Sequence, residues 1–294
     1  MMKKRPHATC LFCNFFGVLS KEHILPSWMR DHLPDTEVPH LQGTLWRRDR
    51  ATGTPLAPQT EGRRGSGEYR SQTLRVVCSK CNNGWMSTIV DDGKPAIEPL
   101  MLGHWGNLSE EVQRRIATWF ALHNMVFERS WNHLQITALA DRQKFMEDHD
   151  PGSRRFIWIA KIADDAAMPT FARVMGSGEP SASSPTTLVI AIAVGKVALM
   201  SIYDPSRIVG EERMQKIEEL LNPWGLRIWP TTANAAPPEA TLEAEGLNHF
   251  LFEIEQIIGG GESRLAQARP EMMKLAMEMV KRQMADGKWP PTVG

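Results

Sequence analysis

Cys10-Leu11-Phe12-Cys13, Lys21-Glu22-His23-Ile24-Leu25-Pro26 and Cys78-Ser79-Lys80-Cys81-Asn82 are the three stretches on which the fold of this chain turns. All four cysteines of the protein fall in the two pairs, and none is left over. In a reducing compartment, two Cys-x2-Cys pairs point to one tetrahedral metal site rather than to disulfides. The two-residue spacer lets each pair grip a single ion from one turn of chain. Four cysteine ligands leave no open position, so the ion expected is a structural Zn2+. The plainer alternative is four ordinary buried thiols, which does not explain why all four are paired.

Working outward, residues 6–14 read as a zinc knuckle, and Val18 to Leu25 alternates weakly, as a strand running into Pro26 would. Ser27 to Leu33 reads as a short helix. Residues 34–70 are rich in Pro, Gly, Thr and Arg with few apolar anchors, the composition of a long loop. Thr73 to Val77 is a β-branched run entering the second knuckle, and a helix is expected from near Asn82 towards Asp92.

Cys-x2-Cys, then acid-His-Ile-x-Pro, then Cys-x2-Cys-Asn, in this order, resembles the HNH endonuclease superfamily over about residues 10–92. The resemblance implies a ββα-metal module: a hairpin whose first strand ends in Glu22-His23, followed by a helix that begins at the second cysteine pair. It implies His23 as general base, a role suited to a neutral imidazole near neutral pH. It also implies a catalytic Mg2+ or Mn2+ held by the carboxylate of Glu22 and the amide oxygen of Asn82, with Asn83 as the alternative ligand. Hard oxygen donors and few protein ligands suit such an ion, which keeps waters and takes phosphate oxygens. Read singly, Glu22 is equally a surface acid, His23 a turn residue and Asn82 a helix cap. The middle Asn of the family lies just before the second pair, where this chain has Thr73, and a Lys of many zinc-bearing members is here Trp85.

Charge agrees with a polyanionic partner at the front of the chain. The net charge of the 294 residues is zero, but residues 1–85 hold 13 Lys and Arg against 7 Asp and Glu, a balance of +6. Arg47, Arg48, Arg50, Arg63, Arg64, Arg70 and Arg75 make the loop and the following strand a candidate phosphate clamp. The expected partner is DNA, with RNA as the alternative, and the activity expected is phosphodiester hydrolysis, in restriction or phage defence. A solvated basic loop on a zinc-stabilised binding module, without catalysis, is the competing reading.

The remainder reads as an α+β domain with an antiparallel sheet, and the whole chain as α+β. Ser109-Glu110-Glu111 opens the clearest helix, with a capping hydroxyl and early acids that suit the helix dipole. Gln135 to Leu139, Phe156 to Ile162, Phe171 to Met175, Leu188 to Ala193 and Val197 to Tyr203 read as strands, the last two joined by a turn at Gly195-Lys196. Arg142 to Glu147, Glu211 to Leu221, Leu247 to Ile258 and Met272 to Met284 read as helices. The expected divisions are 1–98 for the nuclease module, 99–230 for the α+β domain and 231–294 for a Pro/Ala-rich linker and C-terminal helices. That last part of the chain offers surface for a homo-oligomer or an activating partner. The methionines near 272–284 read as a packing face. A group of bacterial HNH proteins shows a similar region after the motif, a likeness that assigns no activity to residues 100–230. No run of 18 uncharged apolar residues occurs and no signal-peptide core precedes Cys10. The expectation is a cytoplasmic protein with no membrane span.

Overall fold

The structure, a computed structural model, describes residues 7–33, 42–45, 59–62, 73–130, 136–166, 170–176, 186–222, 224–243 and 246–258. Strands β1 (His7–Thr9) and β2 (Phe16–Val18) form an antiparallel hairpin around the first cysteine pair. Asn14 takes the left-handed position of its turn, with φ of 60°, a conformation that Asn tolerates better than most residues. β3 (Ser20–His23) pairs antiparallel with β6 (Thr73–Val77), with an irregularity between Ser20 and Glu22. Between them lie a 3-10 helix, Ser27–His32, and the small antiparallel pair β4 (Gln42–Leu45) and β5 (Gln59–Gly62).

The second cysteine pair opens a long helical segment: α1 (Ser79–Cys81), a π-helical turn over Asn82–Met86, then α2 (Ser87–Met101). The helix outruns its expected end at Asp92 because Pro95 and Pro99 lie on its exposed side. There, the backbone bonds that proline forfeits are given up to water. α3 (Glu110–Phe127) starts where its cap predicts, the Ser109 hydroxyl accepting from the Val112 amide at 3.3 Å.

One antiparallel sheet organises the rest, in the order β10 (Gly225–Trp229), β7 (Arg155–Ala166), β9 (Thr186–Tyr203), β8 (Thr170–Gly176). The two-residue β11 (Thr241–Leu242) adds a short parallel pairing to β7. α5 (Gly210–Leu221) and α6 (Gly246–Ile258) cover one face, and α3 backed by α2 covers the other. The chain is therefore mixed helix and sheet, as expected.

The two strands expected at 188–193 and 197–203 are one. Leu188, Ile190, Ile192 and Val194 face α3, and beyond Gly195 the same face is continued by Val197, Leu199 and Tyr203. The alternation thus changes phase at Gly195-Lys196 without the chain reversing. Gly195 has φ of 56°, and a Cβ there would stand 2.5 Å from the Met101 carbonyl oxygen, so only glycine lets the end of α2 rest on the strand. The strand expected at 135–139 is also corrected. Among the described residues of that stretch, the amides of Ile136 and Thr137 donate to the Glu128 carboxylate, at 3.2 and 2.8 Å, instead of to a sheet partner, and α4 (Leu139–Asp148) begins at Leu139. The helix expected at 272–284 lies outside the described residues.

α3 is buried from Ile116 to Phe127 on every side, as a helix must be when it separates a sheet from a second apolar layer. The larger apolar cluster runs without a break from Cys10, Phe12 and Met29 through Ile97 and Trp119 to the sheet residues Ile157 and Ile228. Residue 98 lies inside α2, and this cluster draws on both sides of it. The tightest point is Gly93, where a Cβ would meet the Trp119 side chain at 2.8 Å. Trp119 is fully buried and has nowhere to move in a close-packed interior. Gly93→Ala is expected to lower stability by about 1–3 kcal/mol in urea unfolding. An unchanged midpoint would show that the two helices can part without cost.

Candidate metal centre and catalytic hairpin

The two knuckles converge because backbone bonds bring them together. The Leu11 amide donates to the Val76 carbonyl at 2.8 Å, and the Cys10 amide to the Phe15 carbonyl at 2.8 Å. The Cys78 amide points at Cys10 Sγ, 3.3 Å away. The four sulfurs all lie within 4.8 Å of one another, and Cys13 Sγ and Cys78 Sγ are 3.6 Å apart. A tetrahedron with zinc–sulfur bonds of about 2.3 Å has edges of about 3.8 Å, so the cluster is positioned to hold a metal ion and is compatible with structural zinc. All four cysteines are free of disulfides. Burial raises the thiol pKa of Cys13 and Cys81. In Cys78 burial acts in the same direction but is outweighed by hydrogen bonds, the Cys81 backbone first, and the pKa falls. A bound cation would take all four as thiolates and release their protons.

Asn82 follows the last ligand and reaches back to the hairpin. Its amide nitrogen donates to the Lys21 carbonyl at 3.0 Å and to Ser20 Oγ at 3.2 Å. Both bonds use the nitrogen, so the amide oxygen is turned to the other side. Asn83 is exposed and no hydrogen bond ties it to β3 among the described residues. Next along β3, Glu22 is 9% exposed, and burial pushes its carboxyl up to about 7. His23 ends the strand opposite Thr73. Burial lowers its pKa, and the charges of Arg30 and Lys21 lower it further.

Arg30, unmarked by any sequence motif, lies 3.2 Å from His23 Nδ1 through Nη2. A guanidinium only donates, so Nδ1 is the acceptor and the neutral ring carries its proton on Nε2. The 3-10 helix after Pro26 makes this contact by turning the chain back towards β3. Of the candidate clamp, Arg75 is exposed on β6 and donates to the Leu19 carbonyl at 3.0 Å. Arg47, Arg48, Arg50, Arg63, Arg64 and Arg70 lie outside the described residues.

Residues far along the chain hold this hairpin in place. His123 of α3 reaches the Ile24 carbonyl, 3.1 Å from its Nδ1. A carbonyl accepts, so Nδ1 carries the proton, and burial pushes the ring pKa down to about 4. His123 is thus a packing residue, while His104 is exposed. Arg142 of α4 donates through Nε to the Leu11 carbonyl at 2.9 Å, inside the first knuckle. Arg142 is oriented in turn by the Thr137 carbonyl, and Thr137 by the buried Glu128, which also faces the fully buried Arg155. Trp85 packs edge-on against Phe12 at 4.9 Å and stacks on His149 at 5.7 Å. His32 meets Glu98 at 2.7 Å, joining the 3-10 helix to α2. The contacts that reach the hairpin, from His123 to Ile24 and from Arg142 to Leu11, join residues 99 and 131 positions apart, and no spacing signals them.

Two measurements probe this centre. Metal analysis of purified protein is expected to find one zinc per chain, and Cys81→Ser to lose it together with more than about 3 kcal/mol of stability; retention of zinc and stability would refute the site. His123, near 6.5 when unfolded and about 4 when folded, is neutral in the native state, so its contribution is present above about pH 6.5 and is lost as pH falls towards 4. Between pH 7 and 5 the wild type is expected to lose roughly 2 kcal/mol more than His123→Phe, read by urea unfolding at each pH. Equal losses would mean that the ring is not held neutral. In comparisons with known proteins, no family model, no curated protein and no solved structure matches the chain, so the site is read from its own residues.

Proposed function

We propose that this chain is a metal-dependent HNH endonuclease that hydrolyses phosphodiester bonds in DNA. The observation that carries the reading is the pair of bonds from Asn82 to Ser20 and Lys21. They fasten the residue after the last cysteine to the strand that ends in Glu22-His23, so acid, imidazole and amide share one hairpin–helix junction. Glu22, buried without a cationic partner among the described residues, and the outward amide oxygen of Asn82 are hard oxygen donors of the kind a divalent ion takes. Such an ion, Mg2+ or Mn2+, would supply Lewis-acid stabilisation of the phosphate and the leaving oxygen.

The protein's own residues supply the rest. Burial and two neighbouring cations keep His23 neutral, the form a general base needs. Its Nδ1 lone pair is held by Arg30. A substrate phosphate is a stronger acceptor for a guanidinium than an imidazole is. When Arg30 turns to the phosphate, Nδ1 is released to take the proton of the attacking water, and the scissile group gains a cation. Arg75 and the arginines of residues 44–70 add sequence-independent affinity. The setting we favour is restriction or phage defence, in the cytoplasm. A homo-oligomer or an activating partner would engage residues 99–294. The engaged Nδ1 also suits a second reading, a zinc-stabilised nucleic-acid-binding module with a silent site.

The test is cleavage of supercoiled plasmid, single-stranded DNA and RNA, with Mg2+, with Mn2+ and with neither. The wild type is expected to cut only with divalent ion, and His23→Ala to be slower by about 10²–10⁴-fold at unchanged zinc content. No cutting by the wild type, with zinc bound and DNA retained in a gel shift, would favour the binding module.

A further inference from the structure

The β1–β2 hairpin exposes aromatic surface that folding does not require. The large apolar side chains left exposed among the described residues are Phe15, Phe16, Val18, Leu102 and Leu139, and three of the five belong to this one hairpin. Phe16 is 68% exposed, Phe15 55% and Val18 44%. The core contribution of the same segment comes instead from Leu11 and Phe12, which are buried, and its ends are held by Cys10 and Cys13.

The exposed groups are ordered by the strand register. His7 pairs with Val18 and Thr9 with Phe16, so these four side chains share one face. On it the His7 and Phe16 rings are stacked, centroids 6.0 Å apart and planes 28° from parallel. The Phe15 ring covers the other face, over Gly17, where a Cβ would stand 2.5 Å from it. A three-residue hairpin thus presents flat rings on both sides. In sequence the hairpin is flanked mainly by cations: Lys3, Lys4, Arg5, Lys21 and Arg30 fall within residues 1–31, against the acids Glu22, which is buried, and Asp31. Val18 lies five residues before His23, a reach of no more than about 18 Å, or a few nucleotides. A polyanion with flat, apolar faces between its charges is single-stranded nucleic acid. In a duplex those faces are stacked on one another and out of reach.

We infer that the β1–β2 hairpin is a stacking platform for unpaired nucleotides, with Phe16 on His7 as its principal surface and Phe15 as its second. The inference deepens the nuclease reading and rests on it for the placement of the scissile bond. It assigns the enzyme a substrate class: single strands, or duplexes with an unpaired segment beside the cut. Peptide or membrane docking would not account for the cations flanking the hairpin in sequence and the hairpin–helix junction as economically.

The test measures binding apart from cleavage, in full-length protein without added divalent ion. Fluorescence anisotropy follows a labelled single-stranded oligodeoxynucleotide and its duplex. Phe16→Ala is expected to weaken single-strand binding about 5- to 100-fold, to change duplex binding by less than about 2-fold, and to keep its zinc and melting temperature. Phe16→Trp is expected to restore single-strand binding. Unchanged single-strand binding in Phe16→Ala, or a wild type that binds no single strand, overturns the platform. So does a wild-type dimer that Phe16→Ala converts to a monomer with single-strand binding intact, since the hairpin is then a self-association face. Plasmid cutting is scored separately, which keeps the two failures distinct: cutting with no effect of Phe16→Ala defeats the platform alone, and Phe16-dependent binding without cutting defeats the nuclease alone.

Discussion

Four sulfur atoms within 4.8 Å of one another join segments of chain that are 65 residues apart between Cys13 and Cys78. Closing a loop of that length costs about 4 kcal/mol in chain entropy, and the β3–β6 ladder that benefits is only four or five residues long on each side. A ladder so short does not offset that cost, whereas a four-thiolate zinc site, with apparent binding energies of about 10–16 kcal/mol in peptides, exceeds it. The placement of Glu22, His23 and Asn82 is downstream of this closure. If the knuckles part, Asn82 loses Lys21 and Ser20, and the junction between strand and helix dissolves.

The closure does not act alone. His123 holds the carbonyl after His23, and Arg142 holds the carbonyl after Cys10. Both come from helices that belong to the sheet-bearing part of the chain. The hairpin is therefore fixed from two directions, by its own cysteine cluster and by side chains of α3 and α4, of which Arg142 belongs to a buried polar network anchored by Glu128 against Arg155. Such a network is expensive to bury and poorly replaced in part, so losing one member leaves the others buried without a partner.

What could be read from sequence follows the range of each interaction. Cysteine spacing is local and fixed by coordination chemistry, and the four thiols do meet. The start of α3 was legible because Ser109 states it, and β6 because three of its five residues, Thr73, Val76 and Val77, are β-branched. β9 was misread because Gly195-Lys196 carries the composition of a turn, whereas the glycine is there to admit the end of α2. The stretch before α4 was misread because its amides are claimed by Glu128, a partner that no periodicity reveals. Arg30 escaped notice for the same reason: nothing in the spacing between His23 and Arg30 declares that a 3-10 helix will fold one back on the other.

The helical segment that begins at Ser79 bends at Gly84 and continues as α2, whose 15 residues to Met101 span about 22 Å. At one end it carries Cys81 of the four-thiol cluster, and at the other its last carbonyl presses on Gly195 in the middle of the sheet. Between the ends, Ile89, Ala96 and Ile97 are buried in the shared core. This makes the hairpin–helix unit a poor candidate for transplantation. Excised at residue 98, it would carry away half of an interface and leave the other half, Trp119 and its neighbours, bare. A cut there would leave the cysteine cluster and the sheet each without part of the core they share.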